Sequence, residues 1–113
     1  MNAAIIGCGG MGNIHARMAA QCGLSIVACG DPIRAKAEAA AAPYSAYATD
    51  DCMALAARDD VDIVAIASPT PCHTPYIVAA AQAGKHIFCE KPLGRTIEQC
   101  REAAAAVKKS GVK

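Results

Sequence analysis

The stretch Ala3-Ala4-Ile5-Ile6-Gly7-Cys8-Gly9-Gly10-Met11-Gly12 decides how this chain folds. A short apolar run ends directly in a glycine cluster of the form G-x-G-x-x-G, and good helix formers continue to Cys22. An apolar run, a glycine break and a helix-forming segment in that order predict a strand, a tight turn and a helix.

The glycines have distinct expected roles in such a unit. Gly7 permits the tight turn, Gly9 lets the backbone approach a pyrophosphate, and Gly12 lets the helix pack closely on the strand. The backbone amides at the helix start, around Gly10 and Met11, would then face the anion. The motif predicts dinucleotide binding, and the alternative is a purely structural glycine turn.

The same alternation of strand and helix recurs along the rest of the chain. Leu24–Cys29, Tyr44–Ala48, Val61–Ala67 and Lys85–Cys89 are the four further strands that the apolar runs predict. Val61–Ala67 is nearly continuous and rich in β-branched residues, which is typical of a strand buried on both faces in the interior of a parallel sheet.

Capping residues mark the predicted helices between these strands. Asp31-Pro32 and Thr74-Pro75 each offer an N-cap followed by a proline at the first helical position, and Thr49-Asp50-Asp51 offers a cap for a helix to about Arg58. Gly84 is placed to end the fourth helix. Thr96-x-x-Gln99 is a capping box for the last helix, which Gly111 ends.

Five such units predict an α/β fold with a doubly wound parallel sheet of the Rossmann type. The expected strand order is 3-2-1-4-5, with right-handed crossovers that place helices on both faces. No linker or low-complexity tract interrupts residues 1–113, so the chain is expected to form one domain.

Composition narrows the class of protein. Apolar residues make up 54% of the chain and charged residues 19%, which favours a folded protein over a disordered one. The net charge is +1 and the 11 Lys and Arg residues are dispersed, so no nucleic-acid partner is expected. No apolar run approaches the length of a membrane span and no leader pattern is visible, which predicts a cytoplasmic protein without a membrane partner.

The cysteines suggest core residues rather than a site. There are 7 of them, an odd number, with no C-x-x-C pair. Most are expected to be reduced core fillers, and no metal site is predicted.

Asp31 is the second candidate ligand of a dinucleotide. It follows Gly12 by nineteen positions at the end of the second predicted strand. There a carboxylate accepts hydrogen bonds from the adenosine ribose and repels a 2′-phosphate, which favours NAD over NADP. The alternative role is the N-cap of the second helix, and nearby Arg34 leaves NADP open.

Two further loops are expected to line the same crevice, because ligands of doubly wound sheets bind at the carboxyl ends of the strands. Ser68, Thr70 and His73 come from the loop after the fourth strand, and Glu90 and Lys91 from the loop after the fifth. His73 is expected either to contact the cofactor or to cap the following helix.

The other two histidines, His15 and His86, are assigned to packing or to the surface. Neither is expected to lie in the crevice.

Taken together, these motifs resemble the Gfo/Idh/MocA family of oxidoreductases. The resemblance is carried by the glycine motif, Asp31, the Ser-Pro-Thr-x-x-His run at 68–73, and Ala83-Gly84-Lys85-His86 leading into Glu90-Lys91-Pro92. It spans essentially the whole chain.

The resemblance implies a role for Lys91. In that family the Glu-Lys-Pro motif borders the nicotinamide, and its lysine contacts the reacting end of the cofactor and the substrate. Lys91 is therefore expected to orient a substrate hydroxyl and to stabilise developing negative charge. Without the resemblance, Lys91 would be a solvated loop charge that pairs weakly with Glu90.

The resemblance also implies a nicotinamide-dependent dehydrogenase that acts on a secondary alcohol of a sugar, inositol or related polyol. The chain departs from the family in two respects: Thr70 stands where members often carry Asn, and no C-terminal substrate domain with its catalytic Asp and His follows. The isolated chain is therefore expected to be inactive, and any homo-oligomer is expected only of the full-length protein.

Two rival functions remain at this point. The first is a non-catalytic dinucleotide sensor or co-repressor of the same family. The second is an S-adenosylmethionine methyltransferase, against which the glycine spacing and Glu90-Lys91-Pro92 argue.

Overall fold

All strands of the protein join one parallel sheet, and the computed structural model describes residues 1–113 without a break. The five strands lie in the order β3-β2-β1-β4-β5, so the predicted doubly wound α/β topology is confirmed. Their bounds are β1 Asn2–Ile6, β2 Ser25–Gly30, β3 Tyr47–Thr49, β4 Ile63–Ile66 and β5 His86–Cys89.

Five α-helices and two single turns of 3₁₀ helix connect the strands. The helices are α1 Gly10–Gln21, α2 Arg34–Ala41, α3 Cys52–Ala56, α4 His73–Gln82 and α5 Ile97–Ser110, and the 3₁₀ turns are Ala42–Tyr44 and Thr70–Cys72. Gly84 and Gly111, both with positive φ, follow the ends of α4 and α5 as the sequence predicts.

The sheet is buried on both faces, because successive residues of a strand point to opposite sides. On β1, Ala4 and Ile6 belong to the core beneath α3, α4 and α5, whereas Ala3 and Ile5 belong to the core beneath α1 and α2. β4 pairs with β1 on one side and β5 on the other, which confirms its predicted interior position.

Two predicted N-caps are wrong. α2 begins at Arg34 after Ile33, three residues beyond Asp31, because Asp31 Oδ1 accepts a hydrogen bond from the Ile33 N–H and forms a local turn instead. α4 begins at His73 because a 3₁₀ turn precedes it, and the Thr74 hydroxyl is directed at the carbonyl oxygen of Gln99 on α5, 3.5 Å away.

The third unit differs from its prediction in its bounds. β3 begins at Tyr47 rather than Tyr44, because a 3₁₀ turn extends α2 and Ser45 adopts a left-handed conformation with φ 52°. The helix caps predicted around Asp51 and Thr96 are confirmed, since their side chains accept hydrogen bonds from Ala54 N–H and Gln99 N–H.

The cysteines are all free thiols, but only three of the seven are buried in the core, fewer than the majority that the sequence predicts. Cys8, Cys29 and Cys52 are buried, whereas Cys22 is exposed on the surface. None of the helices has the length and apolar character that crossing a bilayer requires.

Candidate functional site

The glycine loop between β1 and α1 packs against its surroundings through two glycines. Gly7 has a φ of 91°, and a Cβ added there would lie 2.5 Å from the backbone nitrogen of Ser68. A Cβ on Gly12 would overlap the carbonyl oxygen of Gly7. Both positions therefore require glycine for the turn and for the close approach of α1, as the sequence predicts.

Gly9 and Gly10 differ from the other two glycines of the loop. A Cβ added at either would meet no atom within 4 Å, and both residues are exposed. α1 begins at Gly10, and its first turn carries no acidic side chain and no side-chain cap. The space beside this helix start is therefore open, and the first N–H groups of a helix, which have no partner within it, suit an anion.

Asp31 ties the glycine loop to the loop after β2. Only 8% of its surface is exposed. Its Oδ2 accepts a hydrogen bond from the Cys8 N–H at 2.9 Å, and its Oδ1 accepts one from the Ile33 N–H at 2.9 Å. A carboxylate offers about four acceptor positions, so both oxygens retain capacity for a ligand hydroxyl.

A cleft of about 480 Å³ lies at the carboxyl ends of β1, β2 and β4. Four of the predicted site residues line it: Gly7, Gly9, Asp31 and Ser68. This is the edge of a doubly wound sheet at which ligands bind. The loops after β1, β2 and β4 therefore meet in one cleft as the sequence predicts, whereas the loop after β5, which was predicted to line it as well, does not.

Several residues that the sequence reading missed complete the walls of the cleft: Ile33, Lys36, Cys52, Cys72 and Tyr76. They lie at or beside the first turns of α2, α3 and α4. In a parallel sheet with crossover helices, every helix starts near the carboxyl ends of the strands. The residues of the first helical turns could therefore have been predicted as cleft residues from the sequence.

The wall near α3 and α4 is uncharged. Burial raises the pKa of Tyr76 to about 12, so its phenol stays protonated at neutral pH. Burial also raises the pKa of the Cys52 thiol, which therefore remains neutral. A wall of neutral groups suits an uncharged aromatic ring.

Ser68 carries an unusual hydroxyl. Its Oγ is buried and has no hydrogen-bond partner within the protein. A buried polar atom without a partner costs about 1 to 3 kcal/mol, so such atoms commonly serve a ligand. Ser68 lines the cleft, so this unpartnered hydroxyl belongs to a residue of the cleft wall.

His73 connects the loops that follow β4 and β5. The residue is 1% exposed, and it provides no cap for α4, so that alternative is wrong. Its Nε2 lies 2.8 Å from the carbonyl oxygen of Ser68, and its Nδ1 lies 2.9 Å from that of Pro92. Each ring nitrogen thus lies within hydrogen-bond distance of a backbone carbonyl oxygen, one in each loop, which points to support of the two loops.

Replacing His73 by phenylalanine should lower the free energy of unfolding by about 1 to 2 kcal/mol, since a neutral imidazole donates to one of the two carbonyl oxygens and a protonated one donates to both, at about 1 kcal/mol for each hydrogen bond. Urea unfolding followed by circular dichroism measures this. His86→Phe is the matched control, because the His86 ring takes part in a single hydrogen bond, which it accepts from the N–H of Lys113. Equal losses in the two variants would contradict the bridging role.

The Glu90 side chain interacts with the backbone of Lys91 and not with its ammonium group. Glu90 Oε2 accepts a hydrogen bond from the Lys91 N–H at 3.1 Å, and Glu90 Oε1 lies 2.7 Å from His15 Nε2. The hydrogen bond from His15 holds the pKa of Glu90 below its usual value. His15, assigned from the sequence to packing or the surface, therefore also contacts the Glu-Lys-Pro segment.

Eight of the predicted site residues do not line the cleft: Gly10, Met11, Gly12, Arg34, Thr70, His73, Glu90 and Lys91. Arg34 is turned along α2, where its Nε lies 3.1 Å from Glu38 Oε1 and its side chain is 55% exposed. Met11 is exposed on α1, and Thr70 opens the 3₁₀ turn without lining the cleft. Of the cationic side chains near Asp31, Lys36 rather than Arg34 lines the cleft.

Known proteins share this fold and match this sequence. A family model described as an oxidoreductase family with an NAD-binding Rossmann fold matches residues 1–113. Inositol 2-dehydrogenase of Salmonella typhimurium is 36% identical over 115 residues, which is 98% of this chain and 34% of that protein. The chain spans about a third of the length of the curated inositol dehydrogenases that it matches.

Two solved structures superpose closely on it. An NAD-binding oxidoreductase from Klebsiella pneumoniae is 38% identical, with a TM-score of 0.89 over 100% of this chain and 33% of that one. The WlbA dehydrogenase from Bordetella pertussis, solved in complex with NADH and UDP-GlcNAcA, is 26% identical, with a TM-score of 0.92 over 100% of this chain and 36% of that one.

These matches rule out the methyltransferase alternative and agree with the glycine loop, the cleft and the Glu-Lys-Pro segment described above. The chain belongs to the Gfo/Idh/MocA family of oxidoreductases and forms the NAD-binding Rossmann fold of that family.

Proposed function

We propose that this chain holds the NAD cofactor of a dehydrogenase that acts on a secondary alcohol of a sugar, inositol or related polyol. The observation that carries the proposal is the pairing of an open glycine, Gly9, with the unpartnered hydroxyl of Ser68 in one cleft. When bound, the nicotinamide supplies the hydride chemistry, and the protein supplies binding and orientation.

The pyrophosphate of the cofactor fits the start of α1. The backbone at Gly9 and Gly10 is open, and the helix presents its first N–H groups without a competing carboxylate. Such a helix start stabilises an anion through its N–H groups and its dipole. Ser68 is proposed to donate its hydroxyl proton to an acceptor on the same ligand.

Asp31 is proposed to hold the adenosine ribose. The carboxylate is oriented by the N–H groups of Cys8 and Ile33, and its remaining acceptor positions suit two ribose hydroxyls. A negative charge there repels a 2′-phosphate and so favours NAD. Ile33, Cys72 and Tyr76 are proposed to enclose the adenine ring.

Lys91 is proposed to act at the nicotinamide end. Its backbone is held by Glu90 and its side chain is exposed, which leaves the ammonium group available to a substrate hydroxyl. There it would orient the hydroxyl and stabilise negative charge that develops on the oxygen. The polyol class is supported by the inositol dehydrogenases among the relatives.

The rest of the catalytic site is proposed to lie in a substrate domain, since relatives are about three times as long as this chain. On that proposal the isolated chain binds the dinucleotide without turning substrate over, and homo-oligomers form only with that domain. The free thiols support a reducing compartment, the cytoplasm, as the place of action.

Titration of NADH into the chain, followed by nicotinamide fluorescence, tests the proposal. Gly9→Val should weaken binding at least about tenfold, because its branched side chain would occupy the space proposed for the pyrophosphate at a cost of 1.4 kcal/mol or more. Gly9 has an extended backbone with φ −78°, so valine is tolerated there without strain.

Ser25→Val is the matched control, since Ser25 is exposed at the opposite end of β2. It should bind NADH as the parent chain does. Equal dissociation constants for the two valine variants, both folded by circular dichroism, would overturn the cofactor assignment.

A further inference from the structure

The Glu-Lys-Pro segment after β5 is anchored by a residue 75 positions earlier in the chain. His15 lies on α1, the same helix whose start is open to an anion. Its Nε2 is 2.7 Å from Glu90 Oε1, and Glu90 Oε2 accepts the Lys91 N–H at 3.1 Å. The two oxygens of one carboxylate thus link α1 to the backbone of Lys91.

We propose that His15 is a positioning residue for Lys91 and acts through the Glu90 carboxylate. The inference rests on the proposed function, because it assigns to the contact the purpose of placing Lys91 at the nicotinamide end of the site. On this proposal α1 contributes to both the pyrophosphate end and the nicotinamide end of the cofactor site. Its first turn faces the pyrophosphate, and His15, one turn further on, positions the segment that carries Lys91.

The surroundings of the pair favour one geometry. The His15 ring packs edge-on against Phe88, with ring centroids 4.9 Å apart and planes at 64°. The side chains of His15 and Glu90 are only 17% and 21% exposed, so water competes weakly for their hydrogen bond. An imidazole held on one side by an aromatic ring has few other orientations in which Nε2 reaches Glu90.

The Glu90 carboxylate accepts hydrogen bonds from His15 and from the Lys91 N–H, and it forms no ion pair with the Lys91 ammonium group. The hydrogen bond from His15 is the largest cause of the lowered pKa of Glu90, so the carboxylate is ionised at neutral pH and accepts from both neighbours. No ion pair joins the Lys91 ammonium to any carboxylate of the chain. The backbone is held while the ammonium stays free.

Nuclear magnetic resonance of the chain tests the proposal without any turnover. The readouts are the backbone amide resonance of Lys91 and the titration of the Glu90 carboxylate. His15→Phe keeps an aromatic ring against Phe88 but removes the donor, so the Lys91 amide should shift and the pKa of Glu90 should rise towards its usual value. His15→Gln retains an N–H donor and should restore most of both signals.

His86→Phe is the control, because His86 lies on β5 but its ring hydrogen-bonds only to the N–H of Lys113 and not to the Glu-Lys-Pro segment. It should leave both signals unchanged, whereas a general loss of stability would move them in both variants. A Lys91 amide and a Glu90 titration that are identical in the parent chain and in His15→Phe would overturn the proposal.

NADH titration separates this proposal from the proposed function. If Gly9→Val abolishes binding while His15→Phe leaves the Lys91 amide unchanged, the positioning role is wrong and the cofactor assignment stands. If the Lys91 amide depends on His15 but the parent chain binds no NADH, the cofactor assignment is wrong, and the purpose given to the contact is wrong with it.

Discussion

Replacement of Gly12 by alanine is expected to lower the free energy of unfolding by about 3 kcal/mol, the upper end of the usual cost of overpacking. The added Cβ would overlap the carbonyl oxygen of Gly7, and the Ile5 side chain lies 3.5 Å away on another side. A backbone oxygen cannot rotate aside, so α1 must move away from β1. The loss would occur although alanine is intrinsically about 1 kcal/mol better than glycine within a helix.

Gly10→Ala is the matched control for this prediction. Gly10 begins the same helix, and a Cβ there meets nothing within 4 Å. Its expected effect on stability lies between zero and a gain of about 1 kcal/mol, because alanine reduces the freedom of the unfolded chain. Urea unfolding of the two variants measures the difference, and equal stabilities would show that Gly12 does not limit the approach of helix and strand.

The order of the sheet could be predicted from the sequence because the signals for it are local. The apolar runs at β1 and β4, the glycine turn and the caps at Asp51 and Thr96 each depend on neighbouring residues. The handedness of crossovers then leaves few topologies for five parallel strands. Local sequence signals, combined with the right-handedness of crossovers, are therefore enough to predict the order of the strands.

In two of the predictions that failed, the side chain contacts a partner that is distant in sequence. Asp31 has the sequence of an N-cap, yet one of its oxygens binds the Cys8 N–H, 23 positions earlier. Thr74 likewise faces Gln99 on α5 rather than its own helix. Hydrogen bonds across the fold are not visible in a sequence, although each side chain competes among several partners.

Cleft residues that belong to a sequence motif could be predicted, whereas those that reach the cleft only through the fold could not. Gly7, Gly9, Asp31 and Ser68 meet in one cleft because each follows a strand at the same edge of the sheet. Tyr76 and Lys36 belong to no motif and reach the cleft because their helices start there. The contact of His15 with Glu90 required the relative placement of α1 and β5, which no spacing in the sequence gives.

The second large effect is expected for Asp31→Ala, which should lower the free energy of unfolding by about 3 kcal/mol. The buried N–H of Cys8 and the partly buried N–H of Ile33 lose a carboxylate acceptor at 2.9 Å, and hydrogen bonds to charged groups contribute about 1.5 to 3 kcal/mol each. Asp50→Ala is the control, because Asp50 is exposed and lies 4.0 Å from its only ionic partner, Arg34. Its loss should stay below about 0.5 kcal/mol.

Asp31→Asn separates two roles of Asp31: its hydrogen bonds to the backbone of Cys8 and Ile33, and its proposed contact with the ribose. The amide keeps the shape and one acceptor oxygen, so it should retain more of the stability than alanine while losing the negative charge. A charge that repels a 2′-phosphate predicts that the ratio of NADPH to NADH affinity rises in Asp31→Asn, measured by paired fluorescence titrations. If stability falls but the ratio is unchanged, Asp31 serves only to bind the glycine loop to β2, and cofactor selection must come from other cleft residues, of which Lys36 is the charged one.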